Sequence, residues 1–281
     1  MEQTSLPGKA YKPAPPPPHA PLTTKLQEAA GVKEPHKLLG VQSVQPPGSW
    51  FEKGDGDVFE GTGDGNPSDY EEVFGKGNVP TPDSLQMMYS SPSRGVTAEP
   101  DKIAAGWGKM RYSGDLMDDD GNKVGEFKRT FVRGDSGLQV HHDLFWIADD
   151  YEHLKGRGIG KDVTTKALRA YRDMSVTKVH VSTAKDGRVA WACMGFDWAN
   201  EFERAGMTEC FHRFLRDRGY SNQDRAILGT AAKHAFTLAS LEHDGEMLGR
   251  EFLEDGPGWD GVLNLRDGDP GYEFAKRRLK L

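Results

Sequence analysis

An α+β fold built around a mixed sheet is what the sequence predicts, on three observations. Residues from about 100 to 147 alternate apolar and polar side chains between turn signals, as half-buried strands do. A strand, a glycine-rich loop, an amphipathic helix and a further strand then follow in that order up to about residue 183. Beyond residue 200 the apolar positions recur at helical spacing, and a Pro- and Gly-rich arm precedes everything. The boundaries follow: an arm over 1–75, a core over 76–200, and a mostly helical extension over 201–281 that packs on the core.

Composition narrows the function classes. Of 281 residues, 36% are hydrophobic and 28% charged, with 34 glycines and 17 prolines, a globular core with much irregular chain attached. A net charge of -7 argues against a general nucleic-acid-binding surface. No run of about 18 apolar residues is present, so no helical membrane span is expected. The N-terminus lacks the apolar stretch of a secretory signal. A cytoplasmic protein is the expectation, with non-classical export left open. Cys193 and Cys210 both lie in apolar helical patterns and read as buried, reduced thiols. Two cysteines without further ligands make no zinc site, and no metal is expected.

Each element has its local justification. In the arm, "PAPPPPHAP" favours extended polyproline chain and "EKGDGDVFEGTGDGNPSD" is a poor core-former, so disorder is expected. The short amphipathic "LTTKLQEAAGV" reads as linker first and as a docking peptide for a protein partner second. "TPDSLQMMY" opens with a capping residue and reads as a short helix. "KIAAGWGKMRYSGDLM" and "KVGEFKRTFVRG" read as two strands joined across "DDDGN", with Gly121 supplying the positive φ of a tight turn. That acidic tip fails as a calcium loop, because Leu116 and Phe127 fall where Asp and Glu are required. "GLQVHHDLFWIA" is a third strand, with Val140, His142, Leu144 and Trp146 on one face and His141, Asp143, Phe145 and Ile147 on the other. A helix over 161–174 carries Val163, Ala167, Leu168, Tyr171 and Met174 in one stripe. "TKVHVST" is a strand and "GRVAWACMGF" a short helix ending at Gly195. A helix with Phe202, Met207, Cys210, Phe211, Phe214 and Leu215 on its apolar face comes next. A second helix starts at Asn222 and runs through "QDRAILGTAAKHAFTLASLEH", and turns around Trp259 lead to a basic amphipathic end.

The stretch that carries chemistry is "HLKGRGIGKDVTT", residues 153–165. A dinucleotide fingerprint starting at Gly158 would need its third glycine at Val163. A Walker loop would need a glycine at Lys155 and Ser or Thr at Asp162. Spacing excludes both. What remains is a glycine loop opening a helix, where the backbone allows close approach and the helix N-terminus favours an anion. Lys155, Arg157 and Lys161 crowd that terminus, each opposing the helix dipole by about 0.3–1 kcal/mol unless a polyanion binds.

Lys155-Gly156-Arg157-Gly158-Ile159-Gly160 resembles the acyl-CoA loop of the GCN5-related N-acetyltransferases, a Gln/Arg-x-x-Gly-x-Gly/Ala signature with Lys in the first place. Gly195-Phe196, closing "VHVSTAKDGRVAWACMGF", resembles that family's later strand and helix. Together the likeness covers about residues 95–200. It implies a central twisted mixed sheet flanked by helices, with acetyl-CoA or another acyl-CoA as co-substrate. Lys155, Gly156, Arg157, Gly158, Ile159, Gly160 and Lys161 would hold the pyrophosphate, and Phe145, Trp146 and Ile147 would lie beside pantetheine. The implied reaction is N-acyl transfer to an amine on a small molecule or a protein or peptide. Two departures stand out. Trp191 occupies the place of the Tyr that many members use to protonate the leaving thiolate, and an indole N–H has no accessible acid pKa. Ala184 replaces a common Asn. His141, His142 and Asp143 are then the nearest proton acceptors, Tyr151 lies beside the loop, and Ser182 and Thr183 end the strand facing it. The alternative expectation is a catalytically silent member, a binding or structural module that docks through its arm.

Overall fold

The computed structural model describes residues 63–64, 66–185 and 187–281, all within one compact unit. Most of the expected arm lies outside the described residues, but its last stretch is folded. Pro67–Phe74 form helix α1, capped at Asn66 and buried through Tyr70, Val73 and Phe74. The expected boundary at residue 75 is therefore too late. Mean composition masked a proline in the first turn and three apolar residues at helical spacing. Helix α2 (Pro82–Tyr89) follows, its Thr81 side chain accepting from the Ser84 N–H at 3.2 Å.

The strands are β1 (Gly63–Asp64), β2 (Thr97–Gly106), β3 (Lys109–Met117), β4 (Lys123–Gly134), β5 (Gly137–Ile147), β6 (Val176–Ser182), β7 (Asp197–Trp198) and β8 (Asp260–Asn264). They make one mixed sheet in the order β1-β2-β3-β4-β5-β6-β8-β7. From β2 to β5 it is an antiparallel meander, then β5 and β6 are parallel, joined by helix α3 (Ile159–Asp173). Such a parallel pair needs a crossover, and α3 is that crossover. The segment read as one strand from Lys102 to Met117 is two, turned at Trp107 and Gly108, both with positive φ. Gly-Trp-Gly is the turn signal that the alternation around it concealed.

Helices α1, α2 and α3 contact one face of this sheet. Phe74 of α1 lies 5.3 Å from Phe131, Tyr89 of α2 stacks 5.2 Å from Phe127, and Tyr171 of α3 meets Phe131 edge-on at 5.9 Å. The opposite face carries Thr130, His141, His180 and Val262 in one register row, all partly exposed. There the rings of His141 and His180 stack 4.6 Å apart.

The strand β5 does not alternate as expected. Its register with β4 pairs Lys128 with Leu144 and Arg129 with His142, so Asp143 is an extra residue, a β-bulge. Past it the faces exchange. Phe145 and Ile147 join Val140 and His142 on the core side, while Trp146, 41% exposed, points away.

The last third contributes a strand to the sheet as well as helices. β8 is inserted between β6 and β7, antiparallel to both. Its five residues follow Trp259 among turn signals and are too few to show a period, yet the strand completes the sheet. Helix α4 (Gly187–Cys193) precedes β7, and α5 (Glu201–Asp217) follows it. Met207, Phe211 and Leu215 of α5 are buried as expected, but Phe202 in its first turn is 87% exposed. The long helix expected from Asn222 is broken into α6 (Asn222–Leu228), a 3-10 turn at Gly229–Lys233 and α7 (Ala235–Leu238). The second break is at His234, held extended at φ -134° while Asp197 accepts from its ring and from the Ala235 N–H. Ser221, not Asn222, caps α6. Helices α8 (Leu248–Asp255) and α9 (Pro270–Leu279) complete the unit. No described helix is long and apolar enough to cross a membrane.

Candidate functional site

The glycine loop sits where two parallel strands part. Pairing between β5 and β6 runs from Leu138–Val176 to His142–Val181 and goes no further, although β5 continues to Ile147. The backbone of Leu144–Ile147 therefore has β4 on one side and no β6 partner on the other, and the bulged Asp143 pairs with neither. The chain then passes through a 3-10 segment, Asp149–Leu154, into the loop and α3.

Gly156 and Gly158 have φ of +72° and +79°, the left-handed region that side chains disfavour. Gly158 is the N-cap of α3 and offers no side chain to its first N–H groups. Ile159 anchors the first turn in the core, and Gly160 lies with its Cα hydrogen toward Phe145, where an added Cβ would be 3.8 Å from the ring. Arg157 and Lys161 are exposed, with no carboxylate partner among the described residues. Lys155 is engaged: its ammonium lies 2.5 Å from Asp149 and holds that carboxyl below its usual range. Asp162, the acid of the first helical turn, faces away, accepting from Ser91 at 2.6 Å and pairing with Lys166 at 2.9 Å. It does little to neutralise the loop.

One cation was not foreseen. Arg94, from the 3-10 turn Pro92–Arg94, donates to the Arg157 carbonyl, and its guanidinium would lie 3.4–3.5 Å from a Cβ on Gly158. It stands 63 residues away in sequence, and no local pattern marks it. The result is a helix N-terminus ringed by Arg94, Lys155, Arg157 and Lys161.

The candidate proton-transfer groups are not gathered in one place. His142 is 5% exposed on the core face; its Nε2 is 2.9 Å from the Tyr171 hydroxyl, which is 2.6 Å from that of Tyr89. Burial first, and then the charges of Arg129 and His141, push its imidazole well below the ordinary value. Trp191 lies edge-on to it at 5.4 Å. Asp143 is exposed at the bulge and accepts from Thr130 at 2.7 Å on the opposite face. Tyr151 is half-buried beside the core, 6.0 Å from the His153 ring. Ala184 is exposed at the end of β6, Ser182 donates to Asp260 at 2.7 Å, and Thr183 accepts from the Trp259 N–H at 2.9 Å. Trp146 and Ile147, expected side by side along pantetheine, point to opposite faces of the sheet.

Sequence reasoning also missed Arg129, 2% exposed and directly opposite His142. A signal existed, since Arg129 occupies the alternating row of Phe127 and Phe131, where an apolar residue belongs. No group of three or more His, Cys, Asp or Glu among the described residues is arranged to hold a metal ion. No known family model matches the chain, and comparison with curated proteins finds no relative.

Proposed function

We propose that the protein is an acyl-CoA-dependent N-acyltransferase of the GCN5-related kind. The observation that carries this reading is the cationic glycine loop opening a helix at the point where parallel strands separate. Backbone N–H groups of Gly158, Ile159, Gly160 and Lys161 would meet the pyrophosphate, with Arg94, Arg157 and Lys161 supplying charge. The free side of Asp143–Ile147 would pair with pantetheine amides, as an added strand does. The acceptor's amine lone pair attacks the thioester carbonyl carbon, a C–N bond forms and the C–S bond breaks. The amine's proton leaves and the thiolate takes one up. Asp143, beside the separation, is better placed to receive the amine's proton than His142, which is buried and committed to Tyr171. The acceptor is a small-molecule, protein or peptide amine.

A second reading is a binding module that holds CoA without turnover. It is favoured by Trp191, half-buried against His142 and Phe196 where the family's acid would stand. One titration and one assay separate the readings. Calorimetry of acetyl-CoA against the protein and against Gly158→Glu should show binding by the first and a loss of at least tenfold in the second. Equal behaviour of both proteins sinks the loop assignment. Release of free CoA thiol with an amine library then distinguishes an enzyme from a silent binder.

A further inference from the structure

We infer that Arg129 is a positioning residue, a buried wedge at the β4–β5 bulge that keeps the end of β5 on β4 rather than β6 and so keeps the ligand cleft open. Arg129 is 2% exposed, and its guanidinium has no carboxylate partner among the described residues. Nη1 donates to two carbonyls, Lys128 at 2.7 Å and Leu144 across the strand pair. Lys128 and Leu144 face each other as the last register pair before the bulge, and Arg129 faces His142 as the first pair after it. Carbonyls at a bulge in a dry interior need donors, and one guanidinium nitrogen supplies both while the rest of the planar group lies among the aromatic rings. The cation rests on aromatic faces, 5.2 Å from the Tyr89 centroid and 5.9 Å from that of Phe145. Its Nε has no partner.

Three features coincide at one level of the sheet: the bulge, the guanidinium that satisfies it, and His142–Val181 as the last β5–β6 pair. A buried cation without an anion is a poor stabilising device, so its placement has another consequence. By fixing the kink, Arg129 directs Asp143–Ile147 along β4 while β6 stays with β8, where the Thr183 N–H still donates to the Trp259 carbonyl at 2.9 Å. The importance of this for ligand binding rests on the acyl-CoA reading. The wedge itself does not.

The test uses the full chain, its Arg129→Gln and Arg129→Lys variants, and two readouts. In the ligand-free wild type, amides of Asp143–Ile147 that do not pair with β4 should exchange at least tenfold faster than those of Leu138–His142 that pair with β6. In Arg129→Gln that contrast should shrink at least tenfold and acetyl-CoA affinity should fall at least tenfold, with Arg129→Lys between. Uniform protection along wild-type β5 overturns the inference, as do unchanged exchange and affinity in Arg129→Gln. If the Gln variant does not fold, the wild-type pattern and the Lys variant decide. If wild type binds no acetyl-CoA, the proposed function fails while the exchange contrast still judges the wedge.

Discussion

Arg129 and His142 stand opposite each other in the core, and neither has an acidic partner among the described residues. The interior manages them through hydroxyls, carbonyls and rings. Tyr171 is the middle of the chain Tyr89–Tyr171–His142, and burial pushes its hydroxyl up to about 12. Tyr171→Phe leaves two buried groups without a partner and should cost about 2–4 kcal/mol in urea unfolding. The two depressed histidines set a pH dependence. His142 lies well below its ordinary value, and His180 is brought to about 4 by burial, then by His141 and Lys178. Both are neutral in the folded protein, whereas the unfolded chain takes up protons below about pH 6.5. Stability from these groups is full above about pH 6.5 and is lost as pH falls toward the folded values. The midpoint of thermal unfolding should drop between about pH 6.5 and pH 4, and His180→Asn should flatten that drop. An unchanged pH profile in the variant would remove His180 from the account.

Among the elements, glycines and caps decide where structure stops. Gly195 ends the α4 region with φ of +94°, and a Cβ there would lie 2.4 Å from the Gly271 carbonyl at the start of α9. Gly195→Ala should therefore cost about 3 kcal/mol or more, read from the thermal midpoint. Phe202→Ser, on an 87% exposed side chain, should change stability by less than about 0.5 kcal/mol. The contrast tests whether the Gly195-Phe196 corner, and not general hydrophobicity, ties α9 to the sheet. Helix α1 shows how a local signal is lost in its surroundings. Its Pro67 start and its buried Tyr70, Val73 and Phe74 were legible locally, yet the Gly- and Asp-rich chain before it diluted the signal. The reverse happened after Asn222, where one periodic stretch is split before α7 because Asp197 claims His234 and the Ala235 N–H.

For the chain as a unit, the decisive fact is that β8 lies inside the sheet. Its Val262 and Leu263 pair with His180 and Val179, so the chain's end completes what its middle begins. A truncation after Asn200 should lose the cooperative unfolding transition in circular dichroism; a truncated chain that still melts cooperatively would contradict this dependence. Local pattern alone specifies most of the strand residues of the meander but not its β2–β3 turn, the glycine loop with its helix, and the charge that favours a polyanion there. Those are properties of period, turn residues and sign. The bulge at Asp143, Arg94 over the loop, Arg129 within the sheet and the insertion of β8 emerge only from three-dimensional packing. Each depends on which distant carbonyl, carboxylate or strand edge is near, and a one-dimensional pattern carries no record of that.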